Sequence, residues 1–348
     1  SIDDDDSQDP NYGLFAVDAG TSIHHAPTIK DLNVNSVVTP SPNSLGQGGL
    51  MRAGQSFFII KNCHHKGSLN EFCGGICGVS CTNFIIDNCS QEGDIILGGG
   101  LVSNTCNTGT IKNSHSHGYI SDGAGGIVGS GCSQLTIDNC YSTGNIGIAS
   151  GGICGNTCDR ITIDSCYSQG SIGFSGGGIG GSNFHLGLIR NCYSQGDIGL
   201  NGGGMVGINA GGSVYPCQFV NCYSQGMIGE NGGGICGQSG QLNTIDDCYS
   251  TGLIQSNGGG IVGQTSSDNI INNCYSTGLI GGYQSGGIVG QGSSGGSVNN
   301  CYASGLLVTT ATGIIAPTTS VTVPDLNNVY NRQPEPGELD ISLIKHHL

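Results

Sequence analysis

The sequence repeats itself: Asn139-Cys140-Tyr141-Ser142-Thr143-Gly144 recurs in altered copies from residue 62 to residue 331. The position of Cys140 is filled in turn by Cys63, Cys89, Ser114, Cys140, Cys166, Cys192, Cys222, Cys248, Cys274, Cys301 and, in a worn copy, Val329. The steps between them are 26, 25, 26, 26, 26, 30, 26, 26, 27 and 28 residues. So even a period means that each repeat is one coil, unable to bury its apolar face alone, and that neighbouring coils must stack.

What the coil is made of follows from what it lacks. With 66 Gly in 348 residues and only 9% charged residues, a helical core is disfavoured, while the abundant Ile, Val, Thr, Tyr and Cys prefer strands. One coil reads Gly151-Gly152-Ile153-Cys154-Gly155, a turn, Ile161-Thr162-Ile163, then Asp164-Ser165-Cys166-Tyr167-Ser168-Gln169-Gly170-Ser171-Ile172. Alternation turns Ile161, Ile163, Cys166, Ser168 and Ile172 inward and Thr162, Asp164, Tyr167, Gln169 and Ser171 outward. The fold expected is all-β: a parallel β-helix, or β-solenoid, of about eleven coils with three short strands each and roughly 50 Å long. Residues 1–47 are read as an N-terminal arm or cap, with one strand from Ile29 to Val38; residues 48–331 as the coils; residues 332–348 as a C-terminal cap or tail.

Columns of like residues test that register. The inward column Leu69, Ile95, Ile120, Ile146, Ile172, Ile198, Ile228, Ile254, Ile280, Leu307 is apolar in every coil, and burying each of its members is worth roughly 1.5–3 kcal/mol. The residue before the repeating Cys is Asn62, Asn88, Asn113, Asn139, Ser165, Asn191, Asn221, Asp247, Asn273 and Asn300, an asparagine ladder able to hydrogen-bond along the stack. Asn139-Cys140, Asn191-Cys192 and Asn273-Cys274, with Ile146, Ile198 and Ile280, are its structural core. An outward column, Lys61, Asp87, Lys112, Asp138, Asp164, Arg190, mostly alternates in sign. Runs such as Gly202–Gly204 and Gly258–Gly260 mark a corner where no side chain fits or where φ is positive; their recurrence argues against a phosphate-binding loop.

Gly-Gly-Ile-Val-Gly followed by Ile-x-Asn-Cys-Tyr-Ser-Thr-Gly-x-Ile, as in residues 259–280, resembles the GLUG repeat of bacterial and other surface-exposed or secreted proteins. The resemblance covers roughly residues 48–331. It implies a right-handed parallel β-helix serving as an adhesive, stalk or surface module, with no catalytic residues to carry over. The chain departs from the pattern in placing Cys where Ser is common.

The 18 Cys sort into columns. Cys77, Cys154 and Cys236 stand three coils apart, about 14 Å, too far for a bond, and act as small hydrophobes; the main column is read the same way. Cys81, Cys106, Cys132 and Cys158 lie in successive coils. Cys81 and Cys106 are near enough for a disulfide, although direct stacking opposes its dihedral preference. A zinc site on Cys77 and Cys81 lacks an evident exposed His. His115 and His117, with Glu92 beside His117 and His64 two coils away, have the composition of a loose metal set; the plainer reading is that Lys66, Glu92 and His117 share a surface charge ladder. No cofactor is expected.

Polysaccharide lyases and hydrolases are the rival class, but they need convergent carboxylates or a basic residue near calcium. Asp246-Asp247 is the only adjacent acidic pair in the coils, and its members point apart; Arg160 and Arg190 belong to a corner and a ladder. The formal net charge of -15 argues against nucleic acid, and no apolar run is long enough to cross a bilayer. The acidic run Asp3–Asp6 reads as a solvated terminus rather than a calcium patch, and residues 337–348 as a short amphipathic helix. Starting at Ser1, the chain suits a processed or trimmed protein, and an extracellular or surface location is expected.

The surface that remains is the outward strand carrying Tyr141, Tyr167, Tyr193, Tyr223, Tyr249, Tyr275, Tyr302 and Tyr330. Four residues past each Tyr, Asn145, Ser171 and Asp197 give way to Met227, Leu253, Leu279 and Leu306. Tyr223, Met227, Tyr249, Leu253, Tyr275, Leu279, Tyr302 and Leu306 are therefore the candidate partner interface, to be covered by the termini, by another copy or by a surface partner. A Tyr stack suits a glycan as well, and Gln169, Gln195 and Gln225 break the Thr column that ice binding would need. The function expected is a non-enzymatic structural or adhesive solenoid, a subunit of a fibre or appendage, with a polysaccharide-binding or polysaccharide-degrading protein as the alternative.

Overall fold

A computed structural model describes residues 14–16, 23, 26–35, 37–38, 46–212, 215–307, 313, 315–316, 319–322 and 330–331. Asp3–Asp6, residues 337–348 and Val329 lie outside the described residues. The chain winds as a parallel β-solenoid with two sheets of 12 strands. Strands β1 (Thr28–Lys30) and β2 (Asn33–Asn35) pair with β3 (Ser56–Lys61) and β4 (His64–Lys66). The series alternates in this way to β23 (Ser320–Thr322) and β24 (Tyr330–Asn331), odd strands in one sheet and even strands in the other.

The register is the one the repeat dictates. Ile137, Ile163 and Ile189 are ladder partners in one sheet, Tyr141, Tyr167 and Tyr193 in the other. Ile146, Ile172 and Ile198 pair as single-residue bridges, as do Gly151 with Gly177 and Cys154 with Gly180. The third face is thus held by isolated bridges rather than strands: turns at 148–149 and 156–157 interrupt it, and its glycines offer no side chains to alternate. Ile161, Ile163, Cys166, Ser168 and Ile172 are all buried, while Thr162, Asp164, Tyr167, Gln169 and Ser171 are half-buried or exposed.

Corners are made by left-handed residues that are mostly not glycine. In one coil they are Ala149, Thr157, Arg160 and Ser165, with φ of 58, 54, 52 and 53°. The whole asparagine ladder adopts this conformation, from Asn62 (φ 52°) to Asn300 (φ 49°), and Asn and Asp tolerate it best. Its amides bond along the axis: Asn139 Nδ2 donates to Asn113 Oδ1 at 2.9 Å and Asn221 Nδ2 to Asn191 Oδ1 at 2.8 Å. Glycine is used instead for space. Gly202–Gly204 have no positive φ, the corner being Asn201 (φ 63°). A Cβ on Gly204 would collide with the Gly234 carbonyl and with Ser224, because this column lies directly across the interior from the inward serines.

The arm is less separate than its sequence suggests. The stretch from Ile29 to Val38 is not one strand but two, turned at Asp31 (φ 59°). Asp31 begins the asparagine ladder, accepting a hydrogen bond from Asn62 Nδ2 at 2.9 Å. Residues 28–35 thereby form a rung ahead of the first recognisable repeat.

The main Cys column does more than fill volume. Cys166 Sγ donates to the Asp164 carbonyl at 3.1 Å and accepts from the Cys140 backbone N–H at 3.3 Å. Cys192 does the same with Arg190 and Cys166, and Cys301 with Asn299 and Cys274. After a left-handed residue the backbone turns away from its ladder, and the next side chain supplies the partners the corner needs. Ser114 performs this role through oxygen, accepting from Cys89 N at 3.1 Å and donating to Lys112 O at 2.7 Å. The second column behaves alike: Cys106 Sγ accepts from Cys81 N, and farther along Asn243 Oδ1 accepts from Cys217 N. All 18 Cys are buried free thiols.

A direct consequence concerns substitution. Cys166→Ser keeps both partners and is expected to change stability by less than about 1 kcal/mol. Cys166→Ala orphans a buried N–H and should cost about 1–3 kcal/mol. Guanidinium denaturation midpoints distinguish the two, and equal losses would return the column to a purely hydrophobic role.

Candidate functional site

Three ion pairs among the described residues run along the axis. Arg190 Nη2 and Nε lie 2.8 Å from Asp164 Oδ2, Lys112 Nζ lies 3.6 Å from Asp87, and Lys66 Nζ lies 3.4 Å from Glu92. Burial pushes the Asp164 carboxyl up, but hydrogen bonds from Asn191, Ser165 and Arg190 and the Arg190 charge outweigh it, holding the group below its usual range. Asp246 Oδ1 accepts from Asn272 Nδ2 at 2.6 Å, while Asp247 occupies the ladder corner (φ 54°), so the acidic pair does not converge. Arg160 pairs with Asp159 at 3.0 Å.

The histidines of the candidate metal set each have a neighbouring partner, and the His115 and His117 rings lie 5.0 Å apart. His64 Nδ1 bonds Ser90 Oγ and His117 Nδ1 bonds Thr143 Oγ1, both at 2.7 Å. His115 stacks on Tyr141 with ring centroids 4.8 Å apart and planes 3° from parallel. Burial first, then the charges of His117 and His64, holds His115 below the usual histidine range. Among the described residues, no group of three or more His, Cys, Asp or Glu is arranged to hold a metal ion. Cys77 and Cys81 are both fully buried.

His115 opens an aromatic stack that runs through Tyr141, Tyr167, Tyr193, Tyr223, Tyr249, Tyr275 and Tyr302. Neighbouring centroids are 4.8–5.1 Å apart and planes within 6°. The rings are half-buried, and burial together with neighbouring tyrosines pushes the Tyr275 phenol up to about 12. This geometry bears directly on what the stack can bind. A sugar packs its C–H groups onto a ring face, but here each face is covered by the next ring, leaving edges and hydroxyls outward.

The predicted interface therefore divides. Tyr223, Tyr249, Tyr275 and Tyr302 are members of this stack. Met227, Leu253, Leu279 and Leu306 stand beyond a glycine corner and are exposed, Leu306 by 57%. A Cβ on Gly252, at that corner, would strike the Gly226 carbonyl.

The exposed column has a second half that the sequence reading missed. Three residues after Asn145, Ser171 and Asp197 come Ile148, Phe174 and Leu200, exposed by 48, 45 and 41%. Together with Tyr119 they complete a strip: Tyr119, Ile148, Phe174, Leu200, Met227, Leu253, Leu279 and Leu306 place one large exposed apolar side chain in each of eight successive coils. That the two columns border one edge is seen where Leu253 and Leu279 of one line a shallow hollow with Glu230 and Ser256 of the other. The signal was present as a 26-residue recurrence of Ile148, Phe174 and Leu200, in a stretch between the segments to which the alternation was applied.

No helix among the described residues is long and apolar enough to cross a membrane. No protein-family model matches the chain, and no curated protein matches it. Among solved structures, it is similar to the catalytic domain of a GH87 alpha-1,3-glucanase in complex with nigerose, at 12% identity and a TM-score of 0.31. Two single-residue variants of such a domain, also with nigerose, match at 12 and 11% identity and a TM-score of 0.35 each. Each match covers 87% of this chain and 54% of the other, so the chain spans about half the length of the structures it matches.

Proposed function

We propose that this chain is a non-enzymatic structural solenoid of the GLUG-repeat kind, acting outside the cell or on a surface as a subunit of a fibre, appendage or adhesive module. The observation that carries the reading is the use made of the reactive side chains. Many carboxylates, amides, thiols and imidazoles in the coils are spent on ladders between rungs: Asp164 on Arg190 and Asn191, Asp246 on Asn272, Cys166 on Cys140, His117 on Thr143. A glycosidase needs two carboxylates facing one cleft, and the Asp246-Asp247 pair is turned apart.

Binding of a glycan along the tyrosines is disfavoured by the covered ring faces, so adhesion is assigned to the exposed apolar edge rather than to the stack. The test is incubation with acidic and neutral polysaccharides, with release of reducing ends as the readout, alongside electron microscopy of the native material. No release and a filamentous or surface-attached location are expected. Depolymerisation of any substrate would replace this reading with the enzymatic one.

A further inference from the structure

We propose that the apolar edge from Tyr119 to Leu306 is a lateral docking surface for a second copy of this chain. The inference rests on the reading of the chain as a structural subunit and deepens it by naming the partner. Its first support is spacing. The strip offers one side chain per rung at the ladder repeat of about 4.8 Å, over about 35 Å. A bound helix rises about 5.4 Å per turn, drifting out of step within a few rungs, and a compact globular partner would cover part of the length. A second solenoid built on the same coil repeats its own side chains at the same interval and meets the strip along its whole extent.

Charge opposes the contact and limits its strength. Two copies with a formal net charge of -15 each repel wherever acidic faces meet. Along the edge, the acidic positions Asp122 and Asp197 are turned to the backbone: their Oδ1 atoms accept the N–H groups of Ile148 and Met227, both at 2.9 Å. Glu230 alone stands beside the hollow formed by Leu253 and Leu279. These three carboxylates keep their charge, so two copies meet along the edge through its apolar side chains and against a repulsion that added salt reduces. The strip is narrower than a standard interface of about 800 Å² per partner, so one pair is weak and lateral order strengthens as copies align.

The test is sedimentation velocity on the full chain from about 1 µM to about 1 mM, the range of weak interfaces. A concentration-dependent dimer is expected, weakened at least tenfold by Phe174→Glu combined with Leu253→Glu, with an unchanged far-ultraviolet circular dichroism spectrum. Should that variant misfold, Leu200→Cys supplies a second readout: the native thiols are buried, so thiol-specific cross-linking should join copies through the new one. Three results would overturn the proposal: a monomer at every concentration, a dimer indifferent to both substitutions, or a monomer whose strip becomes solvent-exposed only on removal of residues 332–348. Each would leave the scaffold reading standing, because that reading is judged by polysaccharide release and by microscopy of the native material.

Discussion

Gly178→Ala, the addition of one methyl group, is expected to cost about 3 kcal/mol or more and to open the solenoid locally to proteolysis. The added Cβ would collide with the Gly204 carbonyl and with the Cβ of Ser194, and would lie 3.1 Å from Ser168 Oγ. Two of these obstacles belong to adjacent backbone or to a buried short side chain, so nothing nearby can swing aside. Interiors packed to crystal density accept such an atom only by moving the coil. The control is Gly54→Ala. Gly54 has φ of +71° with open space around its Cβ direction, and the cost should be about 1 kcal/mol, from the left-handed backbone alone. Denaturation midpoints and limited proteolysis separate the cases. Similar losses at the two positions would mean that the glycine column serves conformation rather than space.

Ile172→Ala should remove about 2–5 kcal/mol, by lost burial plus the cavity left in the spine. Ile172 is bridged to Ile146 and Ile198 and is 3% exposed. Phe174, two residues on, is 45% exposed, and Phe174→Ala should cost the monomer only about 1 kcal/mol. The larger ring matters less because nearly half of its surface is still in water when the chain is alone. Its loss should instead weaken lateral association. In a stacked array stability is nearly a sum of coil and nearest-neighbour terms, so the Ile172 variant should open around its own coil first, which hydrogen exchange resolved by peptide would show. A uniform loss of protection along the chain would contradict this.

Much of this was legible before any coordinates. A 26-residue period forces like residues onto one another, so Ile146, Ile172 and Ile198 had to form a spine and Asn191 had to sit on its neighbours in the ladder. Tyr167 and Ser168 had to face opposite ways because side chains alternate along a strand. These conclusions need only the period and alternation, both of which are properties of the linear chain.

Tertiary structure decided the rest, for reasons that are local and three-dimensional. Whether Cys166 is filler or a hydrogen-bonding relay depends on the left-handed turn at Ser165, which brings a stranded N–H of the preceding coil to the sulfur. Whether a glycine supplies freedom or room depends on what lies across the interior, and Ser194 opposite Gly178 is set by the cross-section of the coil. Asp31 joined the asparagine ladder although it stands 31 residues before Asn62, because stacking respects spatial register rather than a fixed count. The apolar edge emerged only when two columns three residues apart, each apolar over half its length, were brought to one border of the solenoid.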